Sequence, residues 1–458
     1  MLDTPKHDSQ PRHAALQGAP IRAMRAEGAR VAVELADGRS ARFSTRWLRL
    51  ACECQECGDT ASGKRWLTPA DVGKAIHAES FDVSTPGQVT TIWQDGHVSH
   101  YDAAFLAGHA GGSGPVRFQP QLWHSDLTAR LGRFAFDAVV ADDETLFQSL
   151  RALRDHGIAM LTGVPAETEA TARVAGRYGP IRETSYGKVF DLISRPDARV
   201  AGETARAQIP HTDEPFRYSP PGFIFFHAIR TGAGSGGTSL MVDGFHVAEL
   251  MRTRTPELFE LLTRHGVTFH REHEGEVFFS AEAHVISLDA AGAVTGIRYN
   301  DRCLAPQWAP LERIDGLIEA LAELTRLICD PQNQFRHQLQ PGEVLVFDNQ
   351  RVLHGRSAFD PTLAVRHLRS CNIDRDGVHS AFRTLARRFA PAEAEVVLYL
   401  QRAPTSPLWG GRSAGSGEGP GADPARTGFL APAKRGRGGR EAVGEGAARR
   451  SSIPSELR

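Results

Sequence analysis

The chain has 458 residues, 53 Lys+Arg against 54 Asp+Glu, with 41% hydrophobic and 23% charged residues. That is room for two or three domains with a real core, in a composition that excludes a fibrous or wholly disordered protein. Near-balanced charge leaves no global field for nucleic acid or an anionic membrane, and no run of about 18 apolar residues spans a bilayer.

The first 20 residues, beginning MLDTPKHDSQPRH, have no period of 2 or 3.6 and no signal-like apolar run, so a loose terminus on a cytoplasmic protein is expected. Residues 30–35 alternate apolar and polar, Ala36-Asp37-Gly38 turns the chain, and Ala41 and Phe43 resume on the return; this is a hairpin pattern. A second strand pair falls within 88–99 around the turn Gln94-Asp95-Gly96. The Gly-rich stretch 107–115 reads as a linker, bounding a β-rich N-terminal domain at 21–110.

Helical spacing then appears at 144–153, 256–265 and 311–328, and strand patterns at 157–162, 223–229, 238–242 and 344–347. Many short strands with a few outer helices give an α+β, mainly β class, a β-sandwich or jelly-roll, over a second domain at 125–400. From 403 to 458 Pro, Gly, Ser, Ala and Arg dominate, and a disordered tail follows. Its Arg-Gly content also admits RNA binding, against which the neutral overall charge argues.

Two clusters carry chemistry. Cys52, Cys54 and Cys57 lie on one short segment; in a reducing compartment such thiols suggest metal ligands. One more donor completes a closed, structural zinc site, with His97, His100 and His109 as candidates. An iron–sulfur cluster asks for a fourth nearby cysteine, which is missing.

The second cluster is His211-Thr212-Asp213 followed much later by His354, which a buried strand and turn present. Two His and one carboxylate make the facial triad that holds non-haem Fe(II) with open positions. An oxygenase of this kind draws two electrons from 2-oxoglutarate, whose distal carboxylate suits a guanidinium fork. Arg366 sits in an alternating stretch, 363–368, and can supply it; Arg369 is the alternative.

Together these residues resemble the γ-butyrobetaine hydroxylase and trimethyllysine dioxygenase group of Fe(II)/2-oxoglutarate oxygenases, related to the taurine dioxygenase family, over most of residues 21–395. The likeness rests on Trp47-Leu48-Arg49 before the cysteines, Trp93-Gln94-Asp95-Gly96-His97, His211-Thr212-Asp213, Pro220-Pro221-Gly222, the strand with His227, Gly236-Gly237-Thr238-Ser239, Phe347-Asp348-Asn349 and Leu353-His354-Gly355-Arg356. It implies a double-stranded β-helix, O2 as cosubstrate, often a homodimer, and His97 as the fourth zinc ligand. It also implies His211, Asp213 and His354 on iron, Arg366 on 2-oxoglutarate, and Ser239 adding a hydroxyl there.

For the substrate the resemblance implies a small cationic or zwitterionic metabolite. Tyr186 and Phe190 match two positions of a trimethylammonium cage, which works through ring faces because a quaternary cation has no hydrogen to donate. Asn300 matches the substrate-carboxylate contact. The other cage positions differ: Gly202 and Glu203 replace a tyrosine, Glu214 follows Asp213, and Asn372 stands at a third. γ-Butyrobetaine leads, followed by trimethyllysine and 2-trimethylaminoethylphosphonate, for which Lys188, Arg199 and Arg206 offer extra charge. A non-catalytic zinc-module scaffold is the competing class, disfavoured because the triad and Arg366 are all present.

Overall fold

Glycine sets the first turns. In the computed structural model, which describes residues 20–59, 62–110, 118–194, 204–231, 236–273, 277–307, 310–360 and 366–394, β1 (Ile21–Glu27), β2 (Arg30–Leu35) and β3 (Ser40–Ser44) form an antiparallel sheet. Gly38 turns the chain between β2 and β3 at φ +87°, where a side chain is strained. Ser44 then caps α1 (Thr45–Leu50) by accepting from the Trp47 N–H. A second sheet of β4 (Ala78–Asp82), β5 (Gln88–Trp93) and β6 (Val98–Asp102) follows, with Gly96 at φ +81° in its expected turn.

Helix α2 (Ala103–Ala110) corrects the linker reading of 107–110. Glycine and alanine suggested a loop there, but Leu106 and Ala107 pack into a core with Val31, Leu48, Val89 and Trp93, and burial outweighs the weak propensity of Gly108. The rest of that stretch, the N-terminus before residue 20, the 403–458 tail, Arg199, Gly202 and Glu203 lie outside the described residues.

Beyond residue 118 come β7 (Arg133–Ala135), α3 (Asp143–His156), β8 (Ile158–Thr162), α4 (Thr168–Tyr178) and β9 (Val189–Ile193). They are followed by β10 (Gln208–His211), β11 (Phe223–Arg230), β12 (Ser239–Asp243), α5 (Pro256–Arg264) and the hairpin of β13 (Gly266–His273) and β14 (Val277–His284). Next are α6 (Leu311–Cys329), β15 (Gln334–His337), β16 (Val344–Asp348), β17 (Val352–Arg356), β18 (His367–Ile373) and α7 (Arg375–Phe389). Six strands order as β9-β18-β11-β16-β8-β7 and four as β10-β17-β12-β15.

The apolar runs of β8, β11 and β16 are explained by burial on both faces. Ala159, Leu161, Phe223, Phe225, Val344 and Val346 face a core shared with α3, α4 and α7. Their neighbours Ile158, Met160, Ile224, Leu345 and Phe347 face a second core that takes Met241, Phe335 and Val352 from the four-stranded sheet. The class is therefore mixed, with strands as the framework. No helix among the described residues is long and apolar enough to cross a membrane.

Candidate active site

His211 ends β10 and pairs in register with His354 of β17. The pairing is irregular, since Gln208 lies opposite Arg356 and His211 opposite His354, so β10 bulges across Gly355. Asp213 follows two residues later, its Oδ1 3.5 Å from His211 Nε2 and 3.7 Å from His354 Nε2. One donor atom from each of the three residues lies within 4.8 Å of the others.

The protonation state suits a cation. His211 Nδ1 sits 2.8 Å from the Ile209 carbonyl, so its proton belongs there and the Nε2 lone pair points toward Asp213. Burial drives the His354 imidazole down to about 3, keeping it neutral. Burial would raise the Asp213 carboxyl, but His354 and His211 outweigh it and hold the group well below the usual carboxylate range. Two imidazoles and one carboxylate form the donor set of non-haem Fe(II).

The triad is held from behind. Asn349, fully buried, accepts the Asp213 N–H at 2.7 Å and donates to the Asp213 carbonyl at 3.1 Å. Thr212 N–H donates to the Tyr299 carbonyl at 2.7 Å while its hydroxyl accepts from Tyr299 N–H at 3.0 Å. Rings of Phe226 and Phe347, 5.2 and 5.0 Å away, fix the His354 imidazole.

A cavity of about 510 Å3 opens on the triad. Arg366 lines it and has no carboxylate partner among the described residues; burial, then Arg356, lowers its guanidinium to about 9, still cationic at neutral pH. It precedes β18 rather than lying inside a strand, tied by its N–H to Ser194 Oγ at 3.0 Å. Arg369 is committed elsewhere, to Asp191 at 2.9 Å and the Ala166 carbonyl. Ser239 is buried opposite Arg356 in register and does not line the cavity.

Tyr186, Phe190, Glu214, Asn300 and Asn372 all line the cavity; Lys188 and Arg206 do not. Tyr186 and Phe190 are 5.4 Å apart as a tilted pair. Glu214, at φ +52°, has its Oε2 2.6 Å from Arg217 Nε, so its charge is already paired. Asn300 caps the turn after it, Oδ1 accepting from Arg302 N–H at 3.2 Å and Arg302 Nε at 3.4 Å. Phe216, Arg271 and Arg302 also line the cavity and were missed from sequence. The one signal for Arg302 was a basic residue two positions beyond Asn300.

In the N-terminal module Cys52, Cys54, Cys57 and His97 converge. His97 Nε2 lies 3.3, 3.5 and 3.5 Å from the three Sγ atoms. A tetrahedron with zinc bonds of about 2.1 Å to nitrogen and 2.3 Å to sulfur sets that edge at about 3.6 Å, so the cluster fits the ion. His97 Nδ1 approaches Glu56 at 3.3 Å and Arg49 donates to Cys57 Sγ at 3.1 Å. Burial pushes the Cys52 thiol up to about 11, a cost that a bound cation offsets. His100 bonds Thr90 and His109 bonds the Phe105 carbonyl, so neither competes.

Two family models match the chain. The model of the "Taurine catabolism dioxygenase TauD, TfdA family" matches residues 124–372, and that of "Gamma-butyrobetaine hydroxylase-like, N-terminal" matches 22–107. A gamma-butyrobetaine dioxygenase of Pseudomonas sp. (strain AK-1) is 34% identical, covering 78% of this chain and 94% of its own length. The human gamma-butyrobetaine dioxygenase is 30% identical, covering 77% and 93%. A trimethyllysine dioxygenase of Meyerozyma guilliermondii is 29% identical, covering 78% and 94%.

Proposed function

Because the chain belongs to the TauD, TfdA family of Fe(II)/2-oxoglutarate-dependent dioxygenases, we propose that it hydroxylates a small trimethylammonium zwitterion of the γ-butyrobetaine type, with trimethyllysine as the second reading. The carrying observation is that the three convergent donor atoms share one cavity with the Arg366 guanidinium, which has no carboxylate partner among the described residues. When bound, iron would supply oxygen activation coupled to the conversion of 2-oxoglutarate to succinate and CO2. His211, Asp213 and His354 would hold it, and Arg366 would take the distal carboxylate of the cosubstrate.

Tyr186 and Phe190 offer ring faces to the quaternary cation. Glu214 contributes little charge, since Arg217 neutralises it. We assign Cys52, Cys54, Cys57 and His97 to structural zinc, and the domains to 21–110 and 125–400. The two sheets sharing one core support the double-stranded β-helix, and clustered thiols without a disulfide among the described residues support a cytoplasmic setting. A homodimer is expected and is read by light scattering.

The test is succinate release with Fe(II), 2-oxoglutarate and O2 over γ-butyrobetaine, trimethyllysine, 2-trimethylaminoethylphosphonate and less methylated amines. Turnover of a trimethylated compound that is lost in His211→Ala is expected. Succinate without any substrate dependence sinks the substrate assignment; no succinate from iron-loaded protein sinks the triad assignment.

A further inference from the structure

Besides Arg366, and besides Arg356, whose guanidinium donates to the Thr204 and Arg206 carbonyls, the cavity is lined by Arg302 and Arg271, which the iron and cosubstrate assignments leave unused. Among the described residues Arg302 has only Asp301 beside it as an ion partner, at the 4.0 Å limit, and Asn300 Oδ1 steadies its Nε at 3.4 Å. The guanidinium of Arg271, on β13, forms no ion pair or hydrogen bond among the described residues and stands 6.0 Å from both the Tyr186 and the Phe216 ring centres. That is the outer limit of a cation–π contact, so the group is weakly held.

The two lie on neighbouring strips of chain. Residues 302–307 run beside β13, Leu304 bridging Phe269 and Ala305 N–H donating to the Thr268 carbonyl at 3.0 Å. Cys303, also lining the cavity, feels the charge of both arginines. The acids lining the cavity do not balance them: Asp213 faces the two histidines, Glu214 is paired with Arg217, and Glu272 is exposed. With two of these acids already engaged and the third exposed, the half-buried Arg271 and the exposed Arg302 leave positive charge at the cavity for a ligand to neutralise.

We propose that Arg302 and Arg271 form an oxyanion-reading wall of the substrate site, with Asn300 positioning Arg302, and that this wall selects the carboxylate or phosphonate end of the substrate. The proposal deepens the substrate reading above and rests on it. A planar fork reads two oxygens at once, which a neutral amide cannot match in strength.

The test uses full-length protein loaded anaerobically with Fe(II) and 2-oxoglutarate. It is titrated with γ-butyrobetaine, 2-trimethylaminoethylphosphonate and the anion-free butyltrimethylammonium. Wild type should bind a zwitterion at least about 30-fold more tightly than butyltrimethylammonium, and that ratio should fall at least about ten-fold in Arg302→Gln and several-fold in Arg271→Gln. Arg302→Lys, which keeps charge without the fork, should recover part of it. The tighter zwitterion identifies the anion. A wild-type ratio near one, or a ratio unchanged in both Gln variants, overturns the wall. If trimethylammonium compounds fail but butyrate or propylphosphonate binds through Arg302, the substrate reading falls and the wall stands. If no oxyanion binds, the wall is refuted.

Discussion

Replacing Gly355 by alanine tests how tightly the iron geometry depends on one backbone contact. Gly355 lies between His354 and Arg356 under the bulge of β10, and a Cβ there would meet Gln208 O at 2.6 Å, Pro210 N at 2.9 Å and Ile209 C at 3.0 Å. All three are backbone atoms, so no side chain can rotate aside. The shortest approach is about 0.8 Å below the 3.4 Å at which ordinary contact begins. β10 must therefore move by that order, carrying His211 away from Asp213 and His354. Overpacking of this kind costs about 1–3 kcal/mol of stability, and a misplacement near 1 Å costs about 100-fold in rate. We expect Gly355→Ala to lower the melting temperature by several degrees, weaken Fe(II) binding and cut substrate-dependent succinate formation about 100-fold. Gly176→Ala, on an exposed face of α4 with open space around it, is the control and should leave iron affinity unchanged. Wild-type iron affinity and turnover in Gly355→Ala would refute the argument that the bulge sets the triad.

Asn349→Ala removes the acceptor of Asp213 N–H and the donor to its carbonyl; each unpaired buried group costs about 1–3 kcal/mol, and Fe(II) affinity should drop at least ten-fold, with an unchanged titration showing that Asp213 needs no such clamp. Cys54→Ser should lower bound zinc, measured by elemental analysis, from about one per chain to near zero after dialysis; zinc-free wild type indifferent to chelators would contradict the site. His227, fully buried, accepts from the Thr171 hydroxyl at 2.8 Å and donates through Nε2 to the Val164 carbonyl. Burial lowers it from 6.5 to about 4. Between those values the unfolded chain takes up a proton that the folded one refuses, so its contribution is whole above pH 6.5 and shrinks as pH falls toward 4, by about 3 kcal/mol. Urea melts at pH 7.5 and 5 should show a smaller loss in His227→Asn than in wild type, and equal losses would place the acid sensitivity elsewhere.

How much of this was legible followed from how local each signal is. His211 and Asp213 sit two residues apart and His354 follows the buried run of β16 across a short turn, so their types and spacing named an iron site before any fold was known. The zinc cluster was legible for the same reason, since three of its four donors share six positions. What failed to show were features set by tertiary partners. Glu214 reads as a free acid in sequence, yet the left-handed backbone there turns its carboxylate onto Arg217. Arg369 and Arg366 are three residues apart, and only the pairing of β9 with β18 delivers Asp191 to the first and leaves the second without a carboxylate partner among the described residues. The hairpin of β13 and β14 escaped because only Val267 and Phe269 face the core before a polar run, too short a period to signal a strand. That hairpin brings Arg271 to the cavity. Ligands of a metal must be of particular types and therefore leave a trace in the sequence, whereas a residue that reads substrate charge needs only to arrive at the right wall. The iron chemistry can accordingly be read from motifs, while on the proposal of an Arg302–Arg271 wall the choice of substrate depends on which cations the fold brings to the cavity.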